Sequence, residues 1–253
     1  EATGSMTETT LRTVWLRHQA LTELDKRKQY VIETIKGKGE LTPEFKDRIL
    51  AITDATLLED LFLPYKPHRR TRAQVAREAG LEPLAKIIMA QQLGGIKMRA
   101  TCMARKLENV FDGNAAIAGA LDIIAEWVSE SEKARAIVRA KFLRNGMVSS
   151  MEIKRQENDK EGKYQNYYNL SEPVRSINSH RYLAMRRGEA EGVLKVNISI
   201  DDDEMGERLC RMFVKADSQP EATALVRQAV VDGYRRLLRP SIETEIANML
   251  KDR

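Results

Sequence analysis

"LEDLFLPYKPHRRTRAQVAREAGLEPLA", residues 58–85, carries the local signals that set the fold class. An apolar helical run over 56–64 halts at Pro64, whose ring cannot continue a helix. Lys66, His68, Arg69, Arg70 and Arg72 follow with no acid among them. Thr71 and Gln74 then form a capping box, Gly80 lies past the last turn of that helix, and Pro83 stands early in the next. Helix stop, stiff turn and helix start in immediate succession describe helices joined by short loops. The positive charges fall on the turn.

The same pattern extends in both directions. Upstream, Thr7 or Thr9 caps a long first helix whose apolar face takes in Leu11, Val14, Leu21, Val31, Ile32 and Ile35. Gly37 and Gly39 end it, and Thr42 with Pro43 opens a second helix. Downstream, 81–92, 97–110, 114–128 and 131–145 keep the helical period, with Asn145–Gly146 expected as a left-handed cap. From 146 the texture changes. Residues 157–174 are polar, rich in Tyr and Asn and non-periodic, which predicts a long ordered loop with short helical turns. Residues 176–192 resume as a helix capped by Asn178 or Ser179. Leu194, Val196, Ile198 and Ile200 alternate with Lys195, Asn197 and Ser199, the pattern of a half-buried strand, and 149–156 is its best partner. Helices near 203–215, 220–238 and 240–253 complete the chain. The expected fold is mainly α, a multi-helix orthogonal bundle with a minor β strand or hairpin near 149–200, divided into 1–145 and 146–253.

Composition agrees with that class. Of 253 residues, 42% are hydrophobic, 31% charged and only 6% aromatic, a profile of a soluble, helix-rich globular protein. The net charge of +5 comes from 42 basic and 37 acidic side chains, so the placement of the charges carries more information than their sum. Cys102 and Cys210 share no motif spacing and read as free thiols in the cytoplasm. No apolar run approaches the ~20 residues that span a bilayer, so no membrane role is expected. The sequence begins at Glu1 rather than Met and ends in an amphipathic helix with no stop signal, which reads as a fragment of a longer chain.

Several chemistries lack their motifs. There is no phosphate loop, no Gly-x-Gly-x-x-Gly after a strand and no ligand spacing among His18, His68, His180 and the cysteines. His18 reads as a packing residue of the first helix. Asp201, Asp202, Asp203 and Glu204 follow a strand and open a helix, where capping and the helix dipole account for them better than a metal does. No enzyme activity and no cofactor are expected.

The positive features are two basic clusters. Lys66, Arg69, Arg70 and Arg72, with Arg77 behind them, are held by the stiff turn between Pro64 and Pro67. Phosphate contact and pairing with acids elsewhere in the fold fit this set equally. Arg181, Arg186 and Arg187 form the second cluster, and there Glu189 and Glu191 favour local pairing. Tyr164, Tyr167 and Tyr168 stack on bases or bury one face. The candidate nucleic-acid-binding residues are therefore Lys66, Arg69, Arg70, Arg72, Arg181, Arg186 and Arg187. The expected partner is the phosphate backbone of RNA or DNA, read without sequence preference, with the transcription machinery as a protein partner.

The segment 58–85 resembles the signature of the bacterial Tex transcription accessory proteins, relatives of a eukaryotic transcription elongation factor. "EATGSMTETTLR" (1–12), "GKGELTPE" (37–44), "SEPVRSINSHRYLAMRRGEAEGVLKV" (171–196) and "RLLRPSIETEIANML" (236–250) extend the resemblance across the chain in the same order. The resemblance implies the helical N-terminal part of such a protein, with its first segment missing and an RNase H-like domain expected to follow. It also implies cytoplasmic nucleic-acid binding linked to transcription, in a non-catalytic scaffold role. The alternative is a protein-interaction module with no direct nucleic-acid contact.

Overall fold

The computed structural model describes residues 7–66, 70–107, 109–153, 162–216 and 218–252. The chain divides into two compact units, 1–68 and 69–253. Residue 145, where the composition changes, falls inside the second unit, because Val148, Val174 and Leu209 share one core with Ala76, Ile88 and Ile124.

In the first unit, α1 (Glu8–Gly37) starts at Thr7, whose side chain accepts from the Thr10 amide, and stops before Gly39 at φ +75°. Positive φ costs glycine nothing, hence the stop. Thr42 caps α2 (Pro43–Ala51) and Asp54 caps α3 (Ala55–Phe62), each accepting from a first-turn amide. Val31, Ile32 and Ile35 pack with Ile49, Leu58, Leu61 and Phe62 to form the core. The apolar face expected along the whole of α1 is buried only from Leu24 onward. Leu11, Val14 and Leu21 are exposed, and so is His18, which is therefore not a packing residue. The reason is geometric: α2 and α3 are short and cover only the second half of a 30-residue helix. Arg27 grips Glu59 through Nε and Nη2 at 2.6 and 3.0 Å, with its guanidinium over the Tyr30 and Phe62 rings.

The second unit is built around α7 (Gly113–Glu130). Ala116, Ala120, Ile123, Ile124, Ala125 and Val128 are buried, so the helix is apolar on most of its circumference, as a central helix must be. Around it pack α4 (Arg72–Glu78), α5 (Glu82–Ala90), α6 (Ile96–Ala104) and α11 (Pro220–Gly233). The ends of α4 follow the expected chemistry: Thr71 accepts from the Gln74 amide at 3.0 Å, and Gly80 is left-handed at φ +81°. Gln91, fully buried at the end of α5, donates to the Phe213 carbonyl and accepts from the Lys215 amide, fastening α5 to the segment 213–215. α6 has no side-chain cap of its own. Glu221, at the start of α11, accepts from the Ile96 and Lys97 amides at 3.1 Å each, and these bonds hold its carboxyl below the usual range.

After α8 (Glu132–Asn145) the chain forms a three-stranded antiparallel sheet in the order β2-β1-β3. β1 (Met147–Glu152) pairs with β3 (Leu194–Ser199) as its alternation predicts, Val148 lying opposite Ile198. β2 (Leu170–Pro173) is an addition, since the polar stretch 157–174 was expected as loop. Its described part otherwise matches, with a 3₁₀ turn at Gln165–Tyr167, and 154–161 lies outside the described residues. Gly146 is extended at φ −64° rather than left-handed. It is needed for space: a Cβ there would lie 2.3 Å from the Phe142 carbonyl oxygen.

α9 (Ser179–Ala190) and α10 (Asp202–Phe213) precede α11. The break expected near Pro240 is instead a π-helical segment, Tyr234–Leu238, running directly into α12 (Arg239–Asp252). Proline has no N–H to give the Arg236 carbonyl. The chain responds by widening one turn, and the Arg239 amide donates to Tyr234 O five residues back. Among the described residues, no helix is long and apolar enough to cross a membrane.

Candidate nucleic-acid interface

The basic turn emerges from a tight geometry. α3 passes into a 3₁₀ turn at Leu63–Tyr65, after which Lys66 is extended and exposed. Pro67, His68 and Arg69 lie outside the described residues, so the Arg69 assignment stays with them. In the second unit, Arg70 and Arg72 are exposed, Arg70 with Glu78 at 3.6 Å. At that distance, with 75% of the Arg70 side chain exposed, the pair holds little and leaves the guanidinium available. Arg72 meets no acid among the described residues.

Arg77 belongs to a different environment. Its Nη1 is 2.5 Å from Glu126 Oε2, and the Thr71 hydroxyl donates to the other oxygen at 3.1 Å. Ala73 and Ala76 are the residues that let α4 settle close to α7. Arg77 is thus a structural ion-pair member, anchoring the helix that follows the turn. Sequence reasoning missed Glu126 and Glu130, although two acids at i and i+4 in the otherwise apolar "IIAEWVSE" (123–130) signal a charged partner across the interface.

Glu130 has a consequence for pH. Burial first, and the Glu126 charge second, push its carboxyl up to about 7, with Arg77 opposing. Below the ordinary value of 4.5, folded and unfolded chains both hold this proton; between 4.5 and about 7 only the folded chain does. Stability therefore falls as pH rises through that window, and the loss is complete above it. Glu130→Gln keeps the neutral form. We expect it to match the parent below pH 4.5 and to gain about 2 kcal/mol above pH 7, after discounting for the solvated part of the carboxyl. Urea unfolding across that range checks this, and parallel pH profiles for the two proteins would refute it.

The second cluster is largely occupied. Arg181 pairs with Glu172 of β2, and Arg186 pairs with Glu189, whose other oxygen accepts from the Val196 amide at 3.1 Å. Glu191 is taken by Lys163 at 3.2 Å rather than by an arginine. Arg187 is exposed at the end of α9. Tyr164 is buried against Val193 and Leu194, with the half-buried Tyr167 and Tyr168 packed around them. The acids 201–204 each have separate work. Asp201 accepts from the Glu204 amide, and Asp202 accepts from the Tyr234 hydroxyl at 2.6 Å. Asp203 lies 3.2 Å from Arg235, and Glu204 pairs with Lys141.

The architecture is mainly α with a small antiparallel sheet, and Lys66, Arg70 and Arg72 are exposed. The chain belongs to the family described as Tex central region-like, whose pattern residues 98–253 match. It is 35% identical over 260 residues to the transcriptional accessory protein Tex of Neisseria gonorrhoeae, covering 100% of this chain and 33% of that protein. Protein tex of Bordetella pertussis is 38% identical over 203 residues, 80% of this chain and 26% of that one. The human S1 RNA-binding domain-containing protein 1 is 24% identical over 257 residues, 95% of this chain and 25% of that one. The chain spans about a third of the length of the curated bacterial relatives that it matches in full.

Proposed function

We propose that this chain is a non-catalytic helical scaffold within a cytoplasmic transcription accessory protein, and that the basic residues of its segment 66–72 contact RNA or DNA phosphates. The observation that carries the reading is the contrast between arginines. Arg77, Arg181 and Arg186 are spent on carboxylates, whereas Lys66, Arg70 and Arg72 stay exposed and Arg72 faces no acid among the described residues. Two relatives add support through their names, one a transcriptional accessory protein and the other an S1 RNA-binding domain-containing protein.

Such contacts are electrostatic and sequence-independent, so binding should be weak and should fall steeply with salt. Each phosphate contact contributes ~0.7–0.9 to the slope of log affinity against log salt. Changing Lys66, Arg69, Arg70 and Arg72 together to Gln is expected to lower that slope by up to about three units with the thermal midpoint unchanged. Titration of labelled single-stranded RNA and duplex DNA at several salt concentrations, beside a thermal melt, measures both quantities. An unchanged slope with a lowered midpoint would make the turn structural and remove the basis for this reading.

A further inference from the structure

Arg72 also lines a groove of about 310 Å³ formed by α4, the segment 109–110 and the first turns of α7. Val75, Ala79, Val110, Ala115 and Gly119 line it. A Cβ on Gly119 would come within 2.5 Å of Leu81 Cδ1, so a larger residue there would push that side chain aside. Val75 is 46% exposed, and Phe111, next along the chain from Val110, is fully exposed. Among the described residues the groove has two charged groups, and they differ in state. Asp122 is engaged by Arg236 at 2.8 Å, whereas Arg72 meets no acid among the described residues.

Those features narrow the occupant. A phosphate backbone needs several cations along a track, and here one guanidinium serves the whole groove. Base stacking needs planar faces, and the walls are aliphatic. A small inorganic anion would gain nothing from valine and alanine. A peptide segment with aliphatic side chains on one face and a carboxylate beside them satisfies both the trench and the cation. We infer that this groove docks an apolar–acidic peptide segment of a protein partner, with aliphatic side chains on Val75, Val110 and Ala115 and a carboxylate on Arg72. The site shares Arg72 with the proposed phosphate contacts, which also draw on Lys66, Arg69 and Arg70, whereas Val75, Val110 and Ala115 belong to the groove alone.

The test is selection of a displayed library of random short peptides on the full chain, with Ala115→Trp, which fills the groove, as the counter-selection target. The recovered peptides should combine two or more aliphatic residues with Asp or Glu. Their affinity should fall by about tenfold or more on Ala115→Trp, and also on Arg72→Glu, which reverses the charge. Val75→Asp provides a further variant at an exposed position, so the groove can be blocked even if Ala115→Trp fails to fold. Labelled RNA is titrated in parallel, and its salt slope should fall by no more than about one unit in Val75→Asp, whose carboxylate can neutralise Arg72 alone. No enrichment, peptides that are basic or lack acids, or equal affinity for Val75→Asp would each overturn the inference. Loss of RNA binding together with peptide binding in Val75→Asp would assign the groove to nucleic acid instead and overturn it equally. A flat RNA salt slope in the parent chain would count against the proposed function alone.

Discussion

Arg77→Met is expected to cost the second unit about 3 kcal/mol, the scale seen when one partner of a buried ion pair is removed. The cost comes from what stays behind. Glu126 is 6% exposed, and without Arg77 it keeps the Thr71 hydroxyl as its side-chain donor among the described residues. Glu130, one turn along and already pushed up by burial and by the Glu126 charge, also loses the cation that held it down. The α4 end of the bundle would therefore hold two acids that cannot both ionise in place. Replacing both partners, Arg77→Met with Glu126→Leu, removes the stranded charge and should bring stability back to within about 1 kcal/mol of the parent. Urea midpoints at constant m-value decide the matter. A single-variant loss below about 1 kcal/mol, or a double variant weaker than the single, would show that the pair does not anchor α4.

The same pair illustrates what could be read in advance. Helix caps are local, and Thr7, Thr42, Thr71, Gly39 and Gly80 all act where the sequence places them. The alternation of 194–199 is equally local and produced β3. Partnerships across the fold left weaker traces. Arg77 and Glu126 are 49 residues apart, and Glu221 caps α6 from 125 residues away, so neither pairing follows from spacing along the chain. β2 is short and ends in proline, and it exists because β1 offers a second edge, which its own sequence does not reveal. The first half of α1 carries apolar residues in helical register, but register says only which face is apolar and nothing of what covers it. For the basic clusters the limit was the same. Residue type identified the cations, and only the acids brought alongside by folding separated Arg77, Arg181 and Arg186 from Arg70 and Arg72.

Close helix packing leads to the other large effect. Gly233, the last residue of α11, lies against α7 so closely that a Cβ would be 2.7 Å from the Ala125 carbonyl oxygen and 3.0 Å from its Cα. Both are backbone atoms of a central helix, so no rotamer change relieves the clash. The two helices would have to separate, loosening the packing of α11, whose Val226, Ala229 and Val230 are buried. Overpacking of this kind costs typically 1–3 kcal/mol, and the branched side chain of Gly233→Val should reach or exceed about 3 kcal/mol. The position also adjoins the π-helical turn that absorbs Pro240, so α11 has little freedom to slide along its axis. Gly206 in α10 supplies the control, since a Cβ there meets nothing within 4 Å. Gly206→Ala should stabilise by roughly 0.5–1 kcal/mol, the ordinary gain from removing glycine from a helix interior. Gly233→Ala would show that same gain if space were available, and should instead be destabilising. Thermal and urea unfolding of the three variants separates the cases, and a stabilised Gly233→Ala would mean that α7 and α11 do not meet at this distance.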